Sequence, residues 1–137
     1  MSAEENKQAA RRFIQAFQAG DTAVLEEIVA EDFVDHNPQP GQKPGQWGLI
    51  EIIAGWRTAF PDLEITVQHE VAESEFVVQQ GVALGTNTGP LMGRPATGKQ
   101  ARVSYMDMHR IANGRIVEIW HLEDIAGMLY QLGEFRA

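Results

Sequence analysis

Along the first part of the chain the apolar residues recur at three- and four-residue spacing, and beyond position 62 the spacing falls to two, so helices come first and strands follow. From Ala3 to Ala19 the stripe Ala10, Phe13, Ile14 and Phe17 opposes Lys7, Arg11 and Gln15, which predicts an amphipathic helix that Gly20 ends. Asp21 is placed to cap a second helix with Leu25, Ile28 and Val29 on its buried side, closing near Ala30. Phe33 and Val34 follow, then Asp35 and His36, and Asn37-Pro38 opens a surface loop through Gly45. A third helix is predicted from about Gln46 to Ala59 on the stripe Leu49, Ile52, Ile53, Trp56 and Phe60, with Pro61 as its stop.

Leu63, Ile65, Val67, His69 and Val71 alternate with Glu64, Thr66, Gln68 and Glu70, a half-buried strand whose polar side is read as solvated. A long strand from Phe76 to Thr86 contains Gly81 and Gly85, where a bulge or bend is expected. After the loop TGPLMGRPATGK come two β-rich runs, Val103 to Ala112 and Arg115 to Leu122, joined by Asn113-Gly114, the residue pair that a type I′ hairpin turn favours. A two-residue turn with strict alternation sets His109 opposite Glu118, Asp107 opposite Trp120 and Tyr105 opposite Leu122, all on one face. The other face then carries Met106, Met108, Val117, Ile119 and His121. The first face has the mixed character of a pocket wall, and the second, mostly apolar, is expected to join a second copy of the chain. The tail IAGMLYQLGEF has room for one or two helical turns. Helices followed by long antiparallel strands imply one α+β domain over 1–137, with helices on one face of a curved sheet and a cone-shaped cavity between them.

Charge and composition narrow the function. A net charge of −8 with few Lys and Arg argues against nucleic-acid or anionic-membrane partners. The absence of cysteine removes disulfides, thiolate metal sites and a cysteine nucleophile. No apolar run approaches a membrane span and the N-terminus lacks a secretory apolar core, so a cytoplasmic protein is expected. His36, His109 and His121 lack metal-ligand spacing, and in the register above His109 and His121 point to opposite faces, so no metal is expected. Neither a phosphate-binding GKS/GKT loop nor a GxSxG elbow is present.

Four stretches, DFVDHNP at 32–38, AFPDL at 59–63, GTNTGPLMGRPATGK at 85–99 and DMHRIANGRIVEIWHLED at 107–124, together resemble the SnoaL-like polyketide cyclase (ester cyclase) branch of the nuclear-transport-factor-2-like superfamily. The likeness runs from about Glu4 to Gly133. It implies an α+β cone, a dimer or tetramer formed through sheet faces, no metal or organic cofactor, and a small hydrophobic carbonyl compound as ligand. It also implies proton abstraction next to a carbonyl by an acidic residue after the last long strand, here Asp124, followed by aldol-type ring closure. Asp107 or His109 would assist at the oxygen that gains charge. Asn87 stands where relatives often carry His, and His109 where many have an apolar aromatic residue. Isomerase, dehydratase, epoxide hydrolase and a non-catalytic ligand-binding module are the other activities this cone hosts.

Each candidate also has an ordinary structural reading. Asp124 suits a helix N-cap. His109 and Glu118 suit a buried cross-strand pair with Asp107 beside them, and His36 suits a turn residue bonding its own loop. Under the functional reading Asp124, Asp107 and His109 are catalytic. His36, Glu118, Trp120, Tyr105, Trp56, Phe60 and Asn87 then bind the substrate. Trp56 and Phe60, with Trp47, equally suit a helix core stripe.

Overall fold

The computed structural model describes residues 2–134; residues 1 and 135–137, including the end of the predicted tail, lie outside the described residues. Helix α1 (Ala3–Ala19) opens on a capping box, in which the Ser2 hydroxyl accepts from the Glu5 N–H and the Glu5 carboxylate from the Ser2 N–H, and it closes at Gly20 with φ +67°. Asp21 caps α2 (Thr22–Ile28) as expected. The chain then enters β1 (Val29–Asp35), a strand absent from the sequence-based expectation, before α3 (Gly45–Ala59), β2 (Glu64–Glu73), β3 (Phe76–Thr86), β4 (Gln100–Ala112), β5 (Arg115–Glu123) and α4 (Ile125–Gln131).

The strands form one sheet in the order β1-β5-β4-β3-β2. Its pairings are antiparallel except the β1–β5 edge, which is parallel. Helices α1 to α3 cover the inner face. Phe13, Ile14, Leu25, Ile28, Leu49 and Ile53 from the helices meet Val77, Ile111, Ile116 and Ile119 from the sheet in the main core. A second cluster, Ala59, Phe60, Leu91, Ala101, Met128 and Leu132, joins α4 to the end of α3. Between the two clusters the sheet is not filled by side chains.

Two bulges decide which residues face that gap. The hairpin turn is as predicted: Asn113 and Gly114 both have positive φ, and Ala112 pairs with Arg115 and Ile111 with Ile116. One residue later the register slips, because Arg110 pairs with Glu118 and Val117 is left over. The reason is the spacing of aliphatic residues. Ile116 and Ile119 are three positions apart and both are buried, which strict alternation forbids and one extra residue permits. Beyond the bulge His109 faces Ile119, Asp107 faces His121 and Tyr105 faces Glu123, so the predicted pairs with Glu118, Trp120 and Leu122 are replaced. A second slip in β2 leaves Gln68 over, between Val67 opposite Gly81 and His69 opposite Gln80, and brings Glu70 opposite Gln79.

Candidate active site

Four residues form one registered row across the sheet: Glu70 pairs with Gln79, Gln79 with Asp107, and Asp107 with His121. Asp35 of β1 adds the fifth member through its side chain. At the Glu70 end, the carboxylate accepts from Gln79 Nε2 at 2.8 Å and pairs with the Arg11 guanidinium at 2.6 Å. At the other end, His121 Nε2 lies 2.9 and 3.2 Å from the two Asp35 oxygens, and its Nδ1 lies 2.6 Å from Glu123 Oε1. Burial works against a charged His121 ring, but the bonds to Asp35 and Glu123 outweigh it and push its pKa up to about 10. For Asp35 burial works upward, and the bonds from His121, Gln42 and the Asn37 N–H hold it below the usual carboxylate value.

The middle of the row opens on a cavity of about 100 Å³, well beyond the space a single water needs. Apolar side chains make most of its wall, among them Phe17 of α1, Trp56 of α3, Phe60 just past its end, Ile125 and Met128 of α4, and Val103 of the sheet. Tyr105, Asp107 and Glu123 supply its ionisable groups. Burial, and then the negative charge of Glu123, drive the Asp107 carboxyl up to about 7, with His121 pulling the other way and Asp35 adding to the rise. On its own strand, His109 Nε2 stands 3.9 Å from Asp107 Oδ2, too far for a hydrogen bond. The Tyr105 hydroxyl is buried without a partner among the described residues, and burial, followed by the charges of Asp107 and Glu70, raises its pKa. Its ring crosses Gly81, where an added Cβ would run into the Thr66 carbonyl and come within 2.7 Å of the Tyr105 hydroxyl oxygen.

His109 is fully buried behind Asp107, edge-on to Phe13 with ring centroids 5.6 Å apart. Burial and the positive charge of His121 lower its pKa to about 3, so it is a neutral ring, and neither nitrogen has a partner among the described residues. His109 and His121 share the inner face, contrary to the strict-alternation register.

The remaining candidates lie elsewhere. Glu118, Trp120 and His36 sit together on the outer face: His36 stacks on Trp120 with centroids 4.3 Å apart, and Glu118 takes hydrogen bonds from His36 Nε2 and the Arg110 guanidinium. The bulge accounts for this, since keeping Ile119 inside turns its neighbours Glu118 and Trp120 out. It also removes Ile119 from the proposed contact face, where Met106 and Met108 remain and the exposed Leu122 joins them. Asn87 is buried in the loop after β3, bonding Ala59, Gly89 and Thr97. Asp124 is exposed and caps α4, its Oδ1 accepting from the Gly127 N–H at 2.9 Å. A partly desolvated base at 124, read from the strand-end position, is therefore not what the fold builds; β5 runs one residue further than predicted, and Glu123 takes the place beside the cavity. Sequence reasoning also passed over Asp35, Glu70 and Gln79. Among the described residues no group of three or more His, Cys, Asp or Glu is arranged to hold a metal ion, and no helix is long and apolar enough to cross a membrane.

A curved sheet with helices along one face, enclosing a largely apolar cavity with carboxyl and phenol groups on its floor, is the architecture of the nuclear-transport-factor-2-like cone. The family model for SnoaL-like polyketide cyclases matches residues 7–132, and the chain belongs to that family. It is 27% identical over 130 residues to an aklanonic acid methyl ester cyclase of Streptomyces peucetius, covering 90% of this chain and 88% of the relative. Among solved structures it is similar to IdmH of Streptomyces antibioticus, a candidate polyketide cyclase, at 33% identity and a TM-score of 0.82 over 93% of this chain and 98% of the other. TsrD of Streptomyces laurentii superposes with a TM-score of 0.89 at 26% identity, over 98% and 99% of the two chains.

Proposed function

We propose that this protein is a cofactor-independent enzyme that stabilises the enolate of a small hydrophobic carbonyl compound and so promotes aldol-type ring closure. The observation that carries the reading is the pair Tyr105 and Asp107. Both line the same largely apolar cavity, and burial favours the protonated form of each. Among the described residues the Tyr105 hydroxyl has no partner, and the nearest histidine is beyond bonding distance of Asp107. Two neutral O–H donors two residues apart on one strand face suit an oxygen on which negative charge develops, because a donor in a dry site strengthens its bond as the charge grows. The family membership supports cyclisation as the outcome, and the name of the methyl ester cyclase relative supports an ester-bearing carbonyl substrate. Trp56, Phe60 and Met128 would hold the hydrocarbon skeleton.

The test is exchange of the α-proton of β-keto methyl esters into deuterated buffer, followed by proton NMR. Loss of one such donor costs on the order of 10²- to 10³-fold, so Asp107→Leu and Tyr105→Phe should each slow exchange by about that factor. Exchange at the wild-type rate in both variants would refute the reading.

A further inference from the structure

We propose that Glu123 is the proton acceptor of this pocket, and that Asp35 is a positioning residue acting on it through His121. The proposal rests on the enolate reading above, which supplies donors and leaves the base unassigned. Glu123 ends β5, pairs in register with Tyr105 and lines the cavity, so its carboxylate stands beside one of the two donors. Its side chain is 35% exposed, which leaves it open to a ligand and to proton exchange with solvent.

The geometry behind Glu123 explains why a carboxylate here can act as a base. The His121 ring is held at both nitrogens, by Glu123 at 2.6 Å and by Asp35 at 2.9 Å. A neutral imidazole has a single N–H and would set a lone pair against one of these carboxylates; only the doubly protonated ring donates to both. Asp35 in turn accepts from the Asn37 N–H at 2.8 Å and from Gln42 Nε2 at 3.0 Å, and the backbone N–H of His121 donates to Asn37 Oδ1 at 2.9 Å. The ring is therefore fixed in plane and direction. Two carboxylates and one imidazolium carry a net charge of −1, so a proton arriving at Glu123 neutralises the triad instead of charging a buried site.

In the step so defined, the carbon–hydrogen bond next to the carbonyl breaks and its proton bonds to Glu123. The electron pair moves to the carbonyl oxygen, which accepts hydrogen bonds from Asp107 and Tyr105. The enolate carbon then bonds to a second carbonyl carbon, whose oxygen takes the Asp107 proton. Glu123 loses its proton to solvent and Asp107 regains one, which restores both groups.

The experiment follows α-proton exchange of methyl benzoylacetate in wild type, Glu123→Gln, Asp35→Asn and Asp107→Leu, with circular dichroism to confirm folding and ¹⁵N NMR of the histidine rings at pH 8. Removal of a general base costs on the order of 10²- to 10⁴-fold, so Glu123→Gln should lower kcat by about that factor with KM nearly unchanged. Asp35→Asn should lower kcat less, and His121, doubly protonated in wild type, should lose one ring proton. If Glu123→Gln exchanges at the wild-type rate while Asp107→Leu is slowed, the proposal falls and the donor reading stands. If wild type itself does not accelerate exchange over buffer, both fall. A singly protonated His121 in wild type at pH 8 would also overturn the proposal.

Discussion

Replacing Asp107 by Asn keeps the shape of the side chain and removes its titration, so it isolates the cost of ionising a buried carboxyl. The folded carboxyl titrates near 7, against an ordinary value of 3.8 in the unfolded chain. The folded state thus binds more protons than the unfolded state between these values, and the wild type loses stability as pH rises through that window. Between pH 5 and pH 8.5 the unfolded side chain is ionised throughout, while the folded one passes from protonated to ionised. Two pH units below its midpoint, at about 1.4 kcal/mol each, give a loss of about 3 kcal/mol that Asn cannot show. Urea unfolding followed by tryptophan fluorescence at the two pH values, in both proteins, measures the difference directly. Relative to wild type, Asp107→Asn should gain about 3 kcal/mol on going from pH 5 to pH 8.5. Because an amide still donates a hydrogen bond, the same variant should retain more exchange activity than Asp107→Leu and should lose the decline in rate above pH 7. A stability difference that stays within about 0.5 kcal/mol across the pH range would mean that Asp107 is ionised in the folded protein at pH 5, and the donor role would go with it.

Gly81→Ala should displace the Tyr105 ring, lowering exchange activity together with stability by about 1–3 kcal/mol, as seen by thermal melts beside kinetics. Asp124→Ala should cost about 1 kcal/mol through the lost α4 cap, while Asp124→Asn keeps the cap; activity should survive in both, and its loss in Asp124→Asn would restore Asp124 as the base. A homo-oligomer formed through the outer sheet face is expected to dissociate when Leu122, 72% exposed, is changed to Glu; sedimentation that finds wild type monomeric at micromolar concentration would remove this face as a contact.

The three N-terminal helices, the β3 strand and the hairpin turn were legible because each rests on a local signal: an apolar stripe, a cap, a run of strand-favouring residues, or a Gly with positive φ at a fixed place. The register beyond the turn was not, although its cause is written in the sequence. Ile116 and Ile119 at a spacing of three should have argued against simple alternation, because one of them would otherwise face water. The same oversight in β2 left Glu70 on the solvated side when the bulge at Gln68 turns it toward Gln79. Strand β1 was missed for a different reason: a parallel edge pairs residues far apart in the chain and leaves no turn between them to read. With β1 absent from the expectation, Asp35 had no reason to meet His121. The inward side of β4, with Tyr105, Asp107 and His109, was foreseen because alternation there runs unbroken from Ala101 to Ile111.

The surplus residue at Val117 behaves like a frameshift in the sheet. Everything from Glu118 to the end of the strand is read in one phase because that residue is left out of the pairing, and taking it into the ladder would put the strand into the other phase until Asp124 restarts the chain as a helix. In that bulge-free register Trp120 and Leu122 would point inward and His121 and Glu123 outward, so the cavity floor would exchange an imidazole and a carboxylate for an indole and an isobutyl group without a single substitution. Loss of the bulge is thus a route between an ionisable pocket and an oily one on this scaffold. It makes the pairing of one residue, ahead of side-chain identity, the variable to examine when relatives with the same cone differ in chemistry.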